Sequence, residues 1–438
     1  MIRYFTFLAV WIGLAFPSYA ELRVDITQGT FKPIPIAIPV FAASGGEATK
    51  YGQSIADVVL NDLVSSGLFR AVNRGAFLQG NGQYLTQPNY ADWRLIQSEA
   101  LVVGQVVDNG SGGLTVEFRL FDILTERQVA GISMTASVNE WRRISHKIAD
   151  HIYERLTGEK GYFDTQILYV AENGSGKNKS SRLVIMDQDG ANHRYVTDGS
   201  RLVMTPRFSP DMKQIAFMDY GPDRKTPRVY VMDTGTRVQR RLGDFKNMTF
   251  APRFMPDSET VLMSMSENGD SALYAMNLRS HIVRRLTKGP WIDTSPYASP
   301  DGRQIVFNSD RGGNQQLYVM NSDGSNVKRI SFGGGRYASP AWSPRGDMIA
   351  FTKMEGGQFY IGVMRTDGSG ERLLSRGYLV DEPSWSPNGR MLIFIKQDSP
   401  GSVRTRLMQI DVTGHYEKEV PTPGNENVAS AVWSPLLR

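Results

Sequence analysis

The residues of this 438-residue chain whose types could do chemistry are five histidines, a few paired carboxylates and one Gly-Ser-Gly-Lys stretch. His146, His151, His193, His281 and His415 supply the imidazoles that a general base or a zinc site needs. Their separations show no metal-ligand spacing, so they read as ordinary surface or core residues. Asp187-Gln-Asp-Gly190 and Asn321-Ser-Asp-Gly324 resemble the start of a calcium loop, but each lacks the bidentate Glu downstream and reads as a hairpin turn. Gly174-Ser-Gly-Lys177 lacks the glycine spacing of a phosphate loop. Asp381 and Glu382 are a carboxylate pair, yet neighbours in one loop are a weak basis for acid and base catalysis. No Gly-x-Ser-x-Gly elbow occurs anywhere, so the usual serine nucleophile of a hydrolase is missing. The expectation is a chain without catalytic residues, metal or cofactor.

The elements that would position any site are set by a repeat. Its copies read Pro206-Arg-Phe-Ser-Pro-Asp211, Pro252-Arg-Phe-Met-Pro-Asp257, Pro296-Tyr-Ala-Ser-Pro-Asp301, Pro340-Ala-Trp-Ser-Pro-Arg345, Pro383-Ser-Trp-Ser-Pro-Asn388 and Ala431-Val-Trp-Ser-Pro435, in steps of 46, 44, 44, 43 and 48 residues. A unit of this length cannot bury its own apolar face and must stack on its neighbours. Between Thr294 and Ser331 it holds Ile305-Val-Phe307, a Gly-Gly turn, Gln316-Leu-Tyr-Val-Met320, an Asp-Gly turn and the more polar Val327-Lys-Arg-Ile330. With Tyr297-Ala298 these make four strands, the sheet of one propeller blade. Three strands at residues 167–197 precede the first phrase, and the last phrase has none after it. Pairing the two ends closes a six-bladed ring and hides its edges.

Residues 1–20 read as an export signal. Arg3 is the basic start, Tyr4 to Phe16 the apolar core, and Ser18 and Ala20 the small residues before a cut between Ala20 and Glu21. No later stretch is apolar for long enough to span a bilayer. Residues 21–160 lack the repeat and read as a mixed α/β domain, with helices expected over 49–68 and 141–156 and a strand and meander over 101–138. Gly158 to Gly161 reads as a hinge. The expected fold is therefore an α/β N-terminal domain over 21–160 and an all-β six-bladed β-propeller over 161–438. The first part carries 13 basic and 15 acidic residues, the second 35 and 29. That modest excess has no basic run with interleaved aromatics, so nucleic acid is not an expected partner.

In Glu21, Leu22, Arg23, Val24, Asp25, Ile26 and Thr27, apolar and polar residues alternate. This run reads either as an edge strand of the domain's own sheet or as a strand able to join a partner's sheet.

Signal, mixed domain and six Ser-Pro blades together resemble the TolB family, the periplasmic propellers of the Tol–Pal cell-envelope system. Local matches include Glu21-Leu-Arg-Val24, Ile38-Pro-Val-Phe41, Val102-Val-Gly-Gln-Val106, Leu156-Thr-Gly158 with Lys160-Gly161, and Trp433-Ser-Pro435. The resemblance implies a periplasmic binding protein and no catalysis. It implies that Pal, the peptidoglycan-associated lipoprotein, docks over one mouth of the propeller channel, and that the first mature residues, Glu21 to Thr27, engage the inner-membrane protein TolA. The implied roles are outer-membrane integrity and constriction during cell division. The loops entering each phrase are then the Pal rim: Met204, Thr205, Phe250, Ala251, Asp293, Thr294, Tyr337, Ala338, Asp381, Glu382 and Ala429. The competing reading is a secreted propeller enzyme, a polysaccharide lyase or peptidase-like protein, with its site at the channel mouth. The phrase ends the chain, and the expectation is that no hydrolase domain follows.

Overall fold

A computed structural model describes residues 32–437, except 47, 79–86, 111, 175–178, 222–225, 403 and 425. The expected signal, its cleavage after Ala20, and the segment from Glu21 to Thr27 lie outside the described residues, as does most of Gly174-Ser-Gly-Lys177.

The N-terminal domain is one mixed sheet with helices on it. Its strands are β1 (Ile34–Ala37), β2 (Ala42–Ser44), β3 (Phe69–Ala71), β4 (Ala100–Asp108), β5 (Gly113–Asp122) and β6 (Arg127–Ser137), in the order β3-β1-β4-β5-β6 with β2 against the end of β4. Strand β1 ends before the apolar run over 34–41 does, because Pro39 has no N–H to give a ladder. Helix α1 (Ala48–Ser65) stops just before Gly67, whose φ of 75° is the left-handed geometry that ends helices. A short helix, α2 (Tyr90–Leu95), follows. Helix α3 (Trp141–Thr157) is closed by Gly158 at φ 76°.

The stripe Ile144, Ile148, Ile152 and Leu156 of α3 meets Ile55, Val59 and Leu63 of α1 over Val102, Phe118 and Leu120 of the sheet. The opposite face of the sheet packs Leu101, Val103 and Phe121 under Trp93 of α2. Because both faces of β4 are covered, it is apolar without alternation.

Residues from 166 onward form six four-stranded antiparallel sheets arranged as a propeller. The first strand of each blade lies innermost: Val203–Phe208, Thr249–Phe254, Thr294–Ala298, Arg336–Trp342, Leu379–Trp385 and Asn427–Trp433. Each inner strand touches the next around the ring, and the last touches the first. The closing blade combines the C-terminal strand with three strands from residues 166–195, Val428 facing Ala171 and Trp433 facing Ile167. This is the closure read from the phase of the repeat. Within a phrase, Ser and Asp set the turn: Ser299 Oγ donates to Asp301 Oδ1 at 2.6 Å and accepts the Gln304 N–H at 3.0 Å. Ser209 and Asp211 do the same two blades earlier.

Gly158 to Gly161 is a fastened joint and not a free hinge. Glu159 receives Arg390 Nε at 2.6 Å and Arg345 Nη1 at 3.0 Å, and the next residues, Tyr162 and Phe163, are fully buried. A Cβ at Gly161 would lie 2.1 Å from the Asp150 carboxylate, so only glycine fits there. Tyr162 meets Trp433 edge-on at 5.5 Å between ring centres, and one apolar cluster runs from the N-terminal helices into the closing blade.

Candidate functional site

The turns that touch the N-terminal domain are those from first to second strand, through Arg345, Asn388 and Arg390, and those from third to fourth, through Gln188, Asp189 and Tyr416. Every inner strand starts at the opposite face. The expected rim residues occupy those starting ends, so the ring brings them together on the face turned away from the N-terminal domain.

Each inner strand carries a one-residue bulge at the same place, between Met204 and Arg207, Phe250 and Arg253, Thr294 and Tyr297, Ala338 and Ala341, Asp381 and Ser384, and Val428 and Ala431. In five blades the bulged residue before the proline takes positive φ: Thr205 (47°), Ala251 (50°), Ser295 (54°), Ser339 (48°) and Glu382 (54°). Left-handed backbone at a residue with a Cβ costs about 1 kcal/mol, and the following proline excludes the helical alternative. Bulges of this kind re-aim the strand end.

The individual rim residues differ in what they can offer. Met204, Thr205, Phe250, Ala251, Thr294, Ala338 and Ala429 are half-buried, with part of each surface open. Asp293 and Tyr337 lie beneath the surface. Asp293 takes both its oxygens to Arg311 Nη2, at 3.0 and 2.9 Å, and Tyr337 donates its hydroxyl to Glu371 at 2.8 Å with Lys353 Nζ over its ring. Burial first, then the Glu371 bond, pushes the Tyr337 hydroxyl up to about 12. These two shape the rim from below. Asp381 accepts from Thr352 Oγ1 at 2.7 Å, and burial, followed by the charge of Glu382, raises its carboxyl above the usual range. Glu382 reaches across the channel to Arg207 Nη2 at 3.0 Å and accepts Ser430 Oγ at 2.8 Å. The two carboxylates are thus tied to separate partners.

Arg207 was not among the expected site residues. It is 7% exposed and crosses the ring to a residue 175 positions away, a contact that only closure of the ring creates. The position after the first proline of the phrase reads Arg207, Arg253, Tyr297, Ala341 and Ser384 from copy to copy, so the sequence offered the arginine but not its partner. Toward the N-terminal domain the channel widens to a cavity of about 400 Å³ lined by Arg207, Arg253, Tyr297, Trp342, Trp385 and Trp433.

The histidines separate as expected, except one. His151, His281 and His415 are exposed, and His193 meets Tyr195 edge-on at 5.0 Å between ring centres. His146 of α3 is 3% exposed and bonds Asp62 of α1 through Nδ1 at 2.6 Å, while Nε2 faces Asp187 at 3.8 Å. The Asp-x-Asp-Gly stretch is the expected turn, with Gly190 N–H to Asp187 O at 3.0 Å, but it also carries Asp187 and Asp189 up to His146. His146, Asp187 and Asp189 stand within ligating reach of one another. Arg142 pairs with both carboxylates, however, and supplies the cation a metal would supply. Gln188 Nε2 completes the bridge by donating to Asp62 at 2.7 Å. Burial pulls the His146 pKa down, but Asp62 and Asp187 outweigh it and hold it well above the ordinary imidazole value. Burial conversely lifts Asp62 above the carboxylate range. The spacing of 84 residues between these partners left no pattern to read.

With this architecture established, the comparisons decide the lineage. The profile described as TolB beta propeller domain matches residues 153–437, and the one described as TolB amino-terminal domain matches residues 22–129. The chain belongs to the TolB family. It is 51% identical over 214 residues to the Tol-Pal system protein TolB of Paramagnetospirillum magneticum, and 46% identical over 204 residues to that of Dinoroseobacter shibae. Those alignments cover 49% and 46% of this chain and 48% and 46% of the relatives, so the chain spans about half the length of the curated relatives it matches. The crystal structure of TolB from Acinetobacter baumannii superposes over 95% of this chain and 100% of its own length, with TM-score 0.82 and 26% identity. No helix among the described residues is long and apolar enough to cross a membrane.

Proposed function

We propose that this chain is a periplasmic protein-binding scaffold of the Tol–Pal system. It carries the Pal lipoprotein on the bulged rim of the propeller and reaches TolA through Glu21 to Thr27, exposed after cleavage at Ala20. In this role it serves outer-membrane integrity and constriction at division. The observation that carries the reading is the rim: equivalent bulges on one open face, around a closed ring, at positions where backbone strain is retained blade after blade. The names of the relatives support the same system. The engagement of Asp381 with Thr352 and of Glu382 with Arg207 and Ser430 supports a structural use of those carboxylates over a catalytic one.

Affinity capture from detergent-solubilised envelopes tests this. A Pal-like lipoprotein and TolA are the expected companions, and recovery of neither overturns the scaffold. Deleting residues 21–32 is expected to abolish TolA capture and leave Pal capture intact. Met204→Glu with Ala251→Glu, both at open rim positions, is expected to do the reverse.

A further inference from the structure

Five of the six phrases place an aromatic ring just before their Ser-Pro or Met-Pro step: Phe208, Phe254, Trp342, Trp385 and Trp433. The third phrase has Ala298 there. These positions and the prolines that follow them wall the cavity of about 400 Å³ at the end of the channel toward the N-terminal domain. Small-molecule sites have this size, roughly 300–1,000 Å³. None of the expected rim residues lines it. A neighbouring cavity of about 580 Å³, lined by Arg143 of α3, shares Pro210 and Pro435 with it, so the two run together beneath the N-terminal domain.

The charge of this cavity is one-sided. Arg207 and Arg253 line it, and among the described residues no carboxylate does. Arg207 is balanced from outside the cavity. Its Nη2 meets Glu382 at 3.0 Å and its Nη1 donates to the Pro206 carbonyl at 2.7 Å, while Nε is buried and has no acceptor. Arg253 has no such balance. Among the described residues its half-buried guanidinium makes no hydrogen bond or ion pair, and it lies over the Tyr297 ring, 5.2 Å from the centre. A ring face offsets part of a cation's lost hydration but leaves its five N–H groups without acceptors. Burial raises the Tyr297 hydroxyl above its ordinary value and the charge of Arg207 draws it back, so both cations meet at this ring. Trp342 adds a third spare donor. Its Nε1 is buried without an acceptor, whereas its counterparts Trp385 and Trp433 donate to Ala341 O at 2.9 Å and Thr165 Oγ1 at 2.8 Å. Buried N–H groups are nearly always satisfied, so spare donors from three side chains around one cavity call for an anionic acceptor.

We infer that this cavity binds a small carboxylate carried on a ring-sized apolar body. Arg253 takes the carboxylate through two parallel N–H groups, the arrangement in which a guanidinium binds an anion most strongly. The spare Nε of Arg207 is the next donor in reach of the same ring, and the body packs among Phe208, Phe254, Trp342 and the wall prolines. The charge count selects a monoanion. A phosphate dianion needs the full charge of Arg207 as well, and Glu382 already holds it. A neutral ring fills the apolar wall but leaves Arg253 without a counterion.

Calorimetric titration of the mature chain with 2-naphthoate, an anion at neutral pH, tests this against 2-naphthalenemethanol, a neutral molecule of the same shape. The acid is expected to bind one per chain and at least about tenfold more tightly than the alcohol. Arg253→Met keeps an apolar stem on Tyr297 and is expected to remove that preference, weakening the acid at least about tenfold and leaving the alcohol within about twofold. Arg253→Lys, which keeps the charge but not the fork, is expected to fall between the two. Ala298→Phe installs the ring that the other five phrases carry and is expected to weaken both ligands by filling the space. Urea midpoints check that each variant folds, and if Ala298→Phe does not, the two Arg253 variants decide alone. Equal binding of acid and alcohol overturns the proposal, as does no saturable binding of the acid up to about 1 mM. A loss in Arg253→Met that falls on both ligands alike, or undiminished binding in folded Ala298→Phe, overturns it too.

Discussion

Replacing Asp62 by alanine deletes the carboxylate that holds the two domains through one buried point. Asp62 is 1% exposed and serves His146 Nδ1 at 2.6 Å and, across the domain boundary, Gln188 Nε2 at 2.7 Å. Removing one member of a buried pair costs roughly 3–5 kcal/mol, because the other charge stays in the dark without its partner. Here Asp187, 3.8 Å from Nε2, still faces the ring and holds the cost near the lower end, about 3 kcal/mol. Gln188 loses its acceptor as well, which adds roughly 1 kcal/mol. Replacing both Asp62 and His146 by leucine removes charge together with countercharge and is expected to recover at least about 2 kcal/mol of the single-variant loss. Urea unfolding followed by tryptophan fluorescence reads the wild type, Asp62→Leu, His146→Leu and the double leucine variant, the four corners of the cycle. The folded His146 pKa lies above the unfolded value, so its contribution is complete below about pH 6.5 and fades as pH rises through the folded pKa. Asp62, also raised, loses stability in the same direction, so the penalty of Asp62→Ala is expected to shrink toward alkaline pH. A single-variant loss under about 1 kcal/mol, or losses that simply add, refutes the account of a charged, coupled pair.

Trp433→Ala is expected to cost about 3–5 kcal/mol in urea unfolding, since the ring fills the seam between closing blade and N-terminal domain and its Nε1 donates to Thr165 at 2.8 Å. Burial lifts the Asp150 carboxyl to about 7 against the N–H groups of Phe163 and Asp164. Its folded pKa exceeds the unfolded one, so its stabilisation is full below about pH 4 and gone above pH 7; Asp150→Asn is expected to flatten that slope by a few kcal/mol in pH-dependent melting. Glu159→Ala frees Arg345 and Arg390 and is expected to cost about 1–3 kcal/mol and speed proteolysis between residues 158 and 161, read by limited digestion.

How much was legible in the chain divides by the range of the interactions. The spacing of the Ser-Pro phrases, the phase of the last copy and the turn chemistry of Ser299 and Asp301 act within one repeat, so the sequence alone determined the six blades, their closure and the turns between strands. The helix stripes determined α1 and α3 for the same reason, since residues four apart share a face. The joint at Gly158 reads as a hinge in the chain alone because its fastening comes from Arg345 and Arg390, some 190 and 230 residues away. Asp293 and Tyr337 looked like surface residues of a rim, yet the fold buries them against Arg311 and Glu371.

Arg207 met Glu382, and His146 met Asp187, only because a ring closed and a domain settled on it. Local pattern is carried by hydrogen bonds and burial between near neighbours, which composition and period record. Pairings of charge across the ring depend on which distant turns arrive at the same place, and no period in the chain encodes that. The sequence by itself determined the propeller and its phrases; the tertiary structure alone decided which carboxylates are tied and which face stays open.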